Sequence, residues 1–415
     1  MLNPTKLSQR NGWIAAGIVF GLIVGIILLI ALINAPTMGG PRVMATAESY
    51  LNEVVQTGIP FMIIVGIGAV VLGIFAAVEV RRVWHNRNKR NDLFTAYGFL
   101  APYLIVTFTF TIGVILFALY ISFNSYDIFT RPIWVGLENY KEAFQGFTDT
   151  TKRDFLQSLY NVTWYSIIVV PTQTFLAILM ASLLNVPMRF KQFFRTIFYA
   201  PSVTSSVVIT LIFIWFYLRS GYVNFFLQSL FGVFGVTFTP VNWLGDPRGL
   251  IQLFVEAFGG TIPSTQWYLR GPSIAWMAIM FQNIFTTIPT FMLMFLAALQ
   301  DISPSLYEAA SIDGASAVDK FTKITLPMLR PIILLVVVLG TIGTLQIFDQ
   351  VYLATQGGPL NTSITPVFLV YREALGINGP IHLGYASALA FILALIIFSL
   401  TFLQRRFLER GTELY

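Results

Sequence analysis

The chain has no cysteine and two histidines, and only 11% of its 415 residues are charged. Without cysteine there is no disulfide, no thiol nucleophile and no thiolate metal site. His85 and His382 lie far apart and belong to no H-E-x-x-H cluster, so no metal site is expected. There is no G-x-x-x-x-G-K-[ST] phosphate loop, nor any Gly-Lys pair, and no G-x-S-x-G elbow. The sequence therefore predicts no catalytic residue and no cofactor of its own, and the chain is expected not to be an enzyme.

The scarcity of charge has a counterpart in 56% hydrophobic residues and a mean hydropathy of +0.74. A soluble chain of this length could not hide so much apolar surface. Stretches of about 20 apolar residues, enough to cross a bilayer, lie at 13–34, 59–80, 94–123, 159–185, 196–218, 273–299, 331–354 and 384–403. This predicts an all-α polytopic membrane protein of about eight transmembrane helices. The first stretch exceeds the 7–15 residues of a signal-peptide core, so it is read as a retained helix.

Basic residues set the orientation. Of the 25 Lys and Arg, two lie in 1–12, five in 81–93, and three each in 186–195, 300–330 and 404–415. These segments alternate between the stretches, which puts them, and both termini, in the cytoplasm. The net charge of +6 is thus a topology signal. Basic residues gathered with aromatics on a soluble face, as nucleic-acid binding requires, are missing. The chain divides into an N-terminal pair with its basic loop (1–93), a six-helix body (94–405) and a short tail (406–415). The outer loops at 124–158 and 219–272, with Trp134, Trp243 and Trp267, are too short for enzymatic domains.

A polar, helix-forming insert at 300–330 interrupts the body. Pro304 fits a first helical turn, Ser305 and Glu308 have capping-box spacing, and Gly314 can end the helix in the left-handed region. A second short helix is expected around 316–323, at roughly a right angle to the first. Small residues at 309, 310, 314, 315 and 317 let another protein approach the backbone, and Leu306, Ile312 and Phe321 offer an apolar anchor. A plain interfacial helix would explain the polarity and caps. It would not explain Glu308-Ala309-Ala310, then Asp313-Gly314-Ala315, then Ile324-Thr325-Leu326-Pro327 occurring together.

That pattern resembles the EAA coupling loop of the membrane subunits of bacterial ABC importers. Thr355-Gln356-Gly357-Gly358-Pro359, with Thr365, Tyr371 and Gly384 to Ala388, is similar to the stretch before the last helix of carbohydrate permeases. In particular the chain resembles the maltose-type permease that carries extra N-terminal helices. The outer loop at 124–158 is short here, whereas some of those members carry a large folded domain in it. The resemblance implies an ABC importer type I permease core of six helices preceded by two extra ones, in a bacterial cytoplasmic (inner) membrane. It further implies docking of Leu306, Glu308, Ala309, Ala310, Asp313, Gly314, Ala315, Leu326 and Pro327 onto a separate ATPase, which would bind the ATP and Mg. The implied partners are a homodimeric ATPase, a second related permease and an extracytoplasmic sugar-binding protein.

Polar side chains inside a bilayer usually face a bundle interior or a cavity. Asn283, Thr286, Thr287 and Thr290 form a stripe at i, i+3, i+4 and i+7, and Gln346, Asp349 and Gln350 form a second group. At 1.5 Å per residue, Asn283 lies roughly 24 Å and Gln346 roughly 22 Å above the cytoplasmic end, with Thr287 and Gln173 roughly 18 Å up. Amides and hydroxyls beside Phe281, Phe285, Phe348 and Tyr352 suit a polyol, with Asn283, Thr287, Gln346, Asp349, Gln350 and Gln173 as candidate substrate contacts. Hydrogen bonding between helices is the competing reading. Pro171 and Pro289 can bend their helices at this depth.

The expected function is a permease subunit of an ATP-driven importer of a di- or oligosaccharide. The alternative is a secondary transporter driven by an ion gradient, which would want inverted repeats and paired intramembrane carboxylates.

Overall fold

The computed structural model describes residues 95, 98–100, 102–103, 106–130, 132–147, 149, 152–186, 189–377 and 379–408. The stretches at 13–34 and 59–80, the basic loop and the end of the tail lie outside them. The chain divides into two compact units, Met1–Glu142 with Glu373–Ala388, and Ala143–Arg372 with Leu389–Tyr415.

The described elements are α1 (Gly113–Ser122, entered through a π turn at Thr107–Ile112), β1 (Asn124–Ser125), β2 (Ile133–Trp134), α2 (Glu138–Phe144), α3 (Asp154–Asn185), α4 (Lys191–Val203), α5 (Ser206–Phe216), α6 (Tyr222–Val233), α7 (Leu250–Ala257), α8 (Ile274–Gln300), α9 (Pro304–Ile312), α10 (Ala317–Lys320), α11 (Leu326–Met328), α12 (Arg330–Leu345), α13 (Asp349–Ala354), α14 (Pro366–Leu375) and α15 (Leu383–Leu408). Among the described residues four helices can cross a membrane, or five if α4 and α5, bent by 94° at Thr204–Ser205, count as one. One of the four, Arg330–Ala354, is interrupted at 346–348, where α12 ends and before α13 begins at Asp349. Pro171 and Pro289, by contrast, lie inside the continuous helices α3 and α8.

In the first unit, β1 and β2 pair antiparallel, Asn124 opposite Trp134. Phe123 stacks on Trp134 at 5.5 Å, and Asn139 donates to the carbonyls of Ser122 and Asn124.

The second unit is built on α3, which packs against α8 and α12. Ala177 and Ala181 are fully buried there with Met292, Phe295, Leu329 and Val336. Small residues let membrane helices approach closely, where packing rather than hydrophobicity drives association. The opposite side of α3 exposes Ile167, Phe175, Leu179 and Leu183, as a lipid- or protein-facing side would. The end of the unit opposite the 304–328 insert is fixed by polar bonds. Ser273 caps α8 by accepting from the Trp276 amide, and the Trp276 indole donates to the Asn161 carbonyl at 2.8 Å. Asp154 binds Arg372 at 2.5 Å and Asn361 at 2.9 Å.

Candidate functional site

The insert between α8 and α12 folds as two short helices. Pro304 takes the first position of α9, and its cap is Ser303. The expected capping box at Ser305 and Glu308 is not formed. The proline, with its fixed φ and missing N–H, starts the helix two residues earlier, and the Ser303 hydroxyl bonds the Ser305 hydroxyl at 2.8 Å. The capping box lies on α10, where Ser316 and Asp319 bond each other's backbone amides reciprocally.

α9 ends as its sequence requires. Gly314 has φ +77°, the Ala315 amide donates to the Ala310 carbonyl at 2.9 Å, and the Gly314 amide donates to Ser311 at 3.2 Å. This pair is a Schellman end, which needs a left-handed residue at the glycine. Lys323 above all, and then Ser316, hold the Asp319 carboxylate down at about 2.

The outer side of the insert is apolar. Leu306, Ile312, Val318, Phe321 and Leu326 are exposed, Ile312 at 86%. Glu308, Ala309, Asp313 and Gly314 are exposed beside them, while Ala310, Ala315 and Pro327 are half-buried.

The membrane-depth residues separate into two environments. Gln173 is 1% exposed at the crossing of α3 and α12, and its amide oxygen has no protein partner. Gln346 is exposed where α12 ends, with Asp349 exposed and Gln350 half-buried on α13. The Thr365 hydroxyl donates to the Ile347 carbonyl at 3.1 Å within the break, as broken helices at depth require. On α8, Asn283 and Thr287 are half-buried and joined at 3.3 Å, and Thr286 bonds back to its own helix, leaving Thr290 exposed.

Helix α5 connects these two groups, because it packs against α13 and also bonds α8. Thr210 on α5 accepts from the Gln282 amide at 2.6 Å, both residues being buried. The sequence stripe passed over Gln282, which is one residue out of register, and Thr210, which sits in an apolar run. Aromatic faces lie nearby. Phe281 and Phe285 are exposed and contact Phe213, and Phe348 stacks on Tyr352 at 5.5 Å. The site thus offers neutral donors, acceptors and ring faces. Among the described residues there is no group of three or more metal-ligating side chains.

Residues 173–411 match the family described as binding-protein-dependent transport system inner membrane component. A probable ABC transporter permease, YesP of Bacillus subtilis, is 32% identical over 314 residues, covering 75% of this chain and 89% of its own. The trehalose/maltose transport system permease MalF of Thermococcus litoralis is 31% identical over 72% of this chain and 89% of its own. The lactose transport system permease LacF of Rhizobium radiobacter is 33% identical over 60% and 74%. In fold, the chain matches a bacterial ABC transporter involved in import of the acidic polysaccharide alginate, with a TM-score of 0.59 and 21% identity over 81% of this chain and 98% of that one. The chain belongs to the binding-protein-dependent inner-membrane components, as an ABC importer permease of the carbohydrate type.

Proposed function

We propose that this chain forms half of the translocation pathway of an ATP-driven importer for a di- or oligosaccharide. A second permease would supply the other half, a cytoplasmic ATPase dimer would bind ATP and Mg, and an extracytoplasmic binding protein would deliver the sugar. The observation that carries the coupling part is the insert 304–328. It is a capped, polar structure between two spans, and it leaves Leu306, Ile312, Val318 and Phe321 open to a partner. Uncoupled from a partner, such a cluster would be a liability in the cytoplasm.

The sugar reading is supported by the relatives and by the chemistry around the α12 break. Gln346, Asn283 and Thr287 offer neutral hydrogen bonds, with ring faces beside them. ATP-driven closure of the ATPase would move the insert and shift the helices between two arrangements, since a bound partner biases whichever state it contacts better.

Gentle extraction of the tagged chain from its native membrane tests this. A stoichiometric ATPase and a second permease should co-purify, and Ile312→Glu should release the ATPase alone. A chain that purifies alone and transports on an ion gradient without ATP would make it a secondary transporter instead.

A further inference from the structure

The docking face must hand its movement to the membrane helices, and the contacts behind it are few. Tyr307, on α9, packs its ring on the buried cluster that includes Leu299, Ile302 and Leu329. Its hydroxyl lies 2.9 Å from that of Thr325, which is 6% exposed. Thr325 closes the π turn Phe321–Thr325 that joins α10 to α11. Its hydroxyl also donates to the Lys320 carbonyl at 3.3 Å. A threonine hydroxyl has one proton, so the phenol must be the donor in the first bond. The order is Tyr307 to Thr325 to the Lys320 backbone, which runs from the docking helix into the wide turn.

From Thr325 the path continues by helical register. The Leu329 amide donates to the Thr325 carbonyl at 3.0 Å, and Leu329 is fully buried in the same cluster as Val336 of α12. A second tie crosses the same gap outside, from the Lys320 ammonium to the Ser311 hydroxyl at 2.6 Å. That bond is exposed and competes with water. The inner one is shielded, and leaving a shielded hydroxyl unpaired is the costlier event. A π turn within helical chain is also a usual place for a functional irregularity.

We propose that Tyr307 and Thr325 form the joint that couples α9 to α12, positioning the docking helix rather than touching ATPase or solute. This rests on the reading of 304–328 as the ATPase-docking surface.

The test uses the complete complex in lipid nanodiscs, with ATPase activity measured with and without sugar-loaded binding protein. Tyr307→Phe keeps the ring and Thr325→Val keeps the shape, while each removes the bond. Both should lower the stimulation ratio by roughly fivefold, the weight of one net hydrogen bond in an equilibrium, with ATPase stoichiometry unchanged. The double variant should be no worse than the poorer single one, because both remove the same interaction. Thr325→Ser should keep normal stimulation. Unchanged stimulation in both single variants, or additive losses in the double one, would overturn the joint. So would loss of the ATPase from Tyr307→Phe, since the bond would then shape the docking face only. Retention of the ATPase by Ile312→Glu would instead overturn the docking reading, which separates the two failures.

Discussion

Gly340 on α12 faces the side-chain amide of Gln173 on α3 so closely that a Cβ at position 340 would lie 2.6 Å from Gln173 Nε2. Val170 would be the next neighbour, at 3.6 Å. The glycine is therefore a packing requirement of the α3–α12 crossing, and Gln173 fills the space it leaves.

Gly340→Val should cost about 1–3 kcal/mol, the range for overpacking a filled site, with Gly340→Ala costing less because an amide end can rotate. Gln173→Ala in the same chain should restore part of the loss. Thermal unfolding of the purified complex measures this. A single Gly340→Val variant as stable as the parent would show that the crossing opens freely.

Gly314 differs from Gly340 in kind. Nothing lies within 4 Å of a Cβ built there, yet its φ is +77°. A substitution should therefore cost only what the left-handed conformation costs, about 1–2 kcal/mol. Gly314→Asn should be tolerated, since asparagine visits this region. Gly314→Leu should reorient α10 and uncouple ATP hydrolysis from uptake while the protein stays in the membrane. The ATP hydrolysed per sugar imported reads the difference. Equal coupling in the two variants would remove the helix end from the coupling argument.

The spans within 159–185, 273–299 and 384–403 were legible because apolar runs of 20 or more residues leave few alternatives, and Gly314 was legible because its left-handed position follows an evident helix. The breaks were not. Gln346 follows Gly343 and Thr344 in a run that reads as one helix, and the hydroxyl that satisfies the freed backbone belongs to Thr365, far along the chain. The misplaced capping box has a similar origin. Ser305–Glu308 and Ser316–Asp319 both have the right spacing, and only the constraint imposed by Pro304 moved the first cap to Ser303. Thr210 and Tyr307 carry no local signal, since each acquires its partner through packing alone.

Asp319 gives the insert a defined acid limit. Its carboxylate is held at about 2, first by Lys323 and then by Ser316. A depressed carboxylate contributes stability above its ordinary value of 3.8, and loses it as pH falls through the depressed one. Amide exchange across 316–323, corrected for intrinsic rate, should thus be the same at pH 7 and pH 5. Asp319→Asn should speed it at both. Exchange in the parent chain that rises between pH 7 and pH 5 would contradict the assignment.

Exposure distinguishes the polar residues at membrane depth. Gln346 is exposed at the end of α12 and Asn283 is half-buried on α8, whereas Gln173 is 1% exposed. A residue that serves solute must be reachable, so under the proposed function the first two are the candidate solute contacts, whereas the third packs the helix crossing. Gln346→Ala with Asn283→Ala should raise the KM for sugar uptake roughly five- to tenfold, the effect of one or two neutral hydrogen bonds, while the ATPase stays bound. Gln173→Ala should leave KM unchanged and lower the unfolding temperature, because it opens a cavity beside Gly340. Uptake kinetics and thermal melting of the same three preparations decide it. Unaltered KM in the Gln346 and Asn283 double variant would return both residues to bonding between helices, and a raised KM in Gln173→Ala would move the sugar path toward α3.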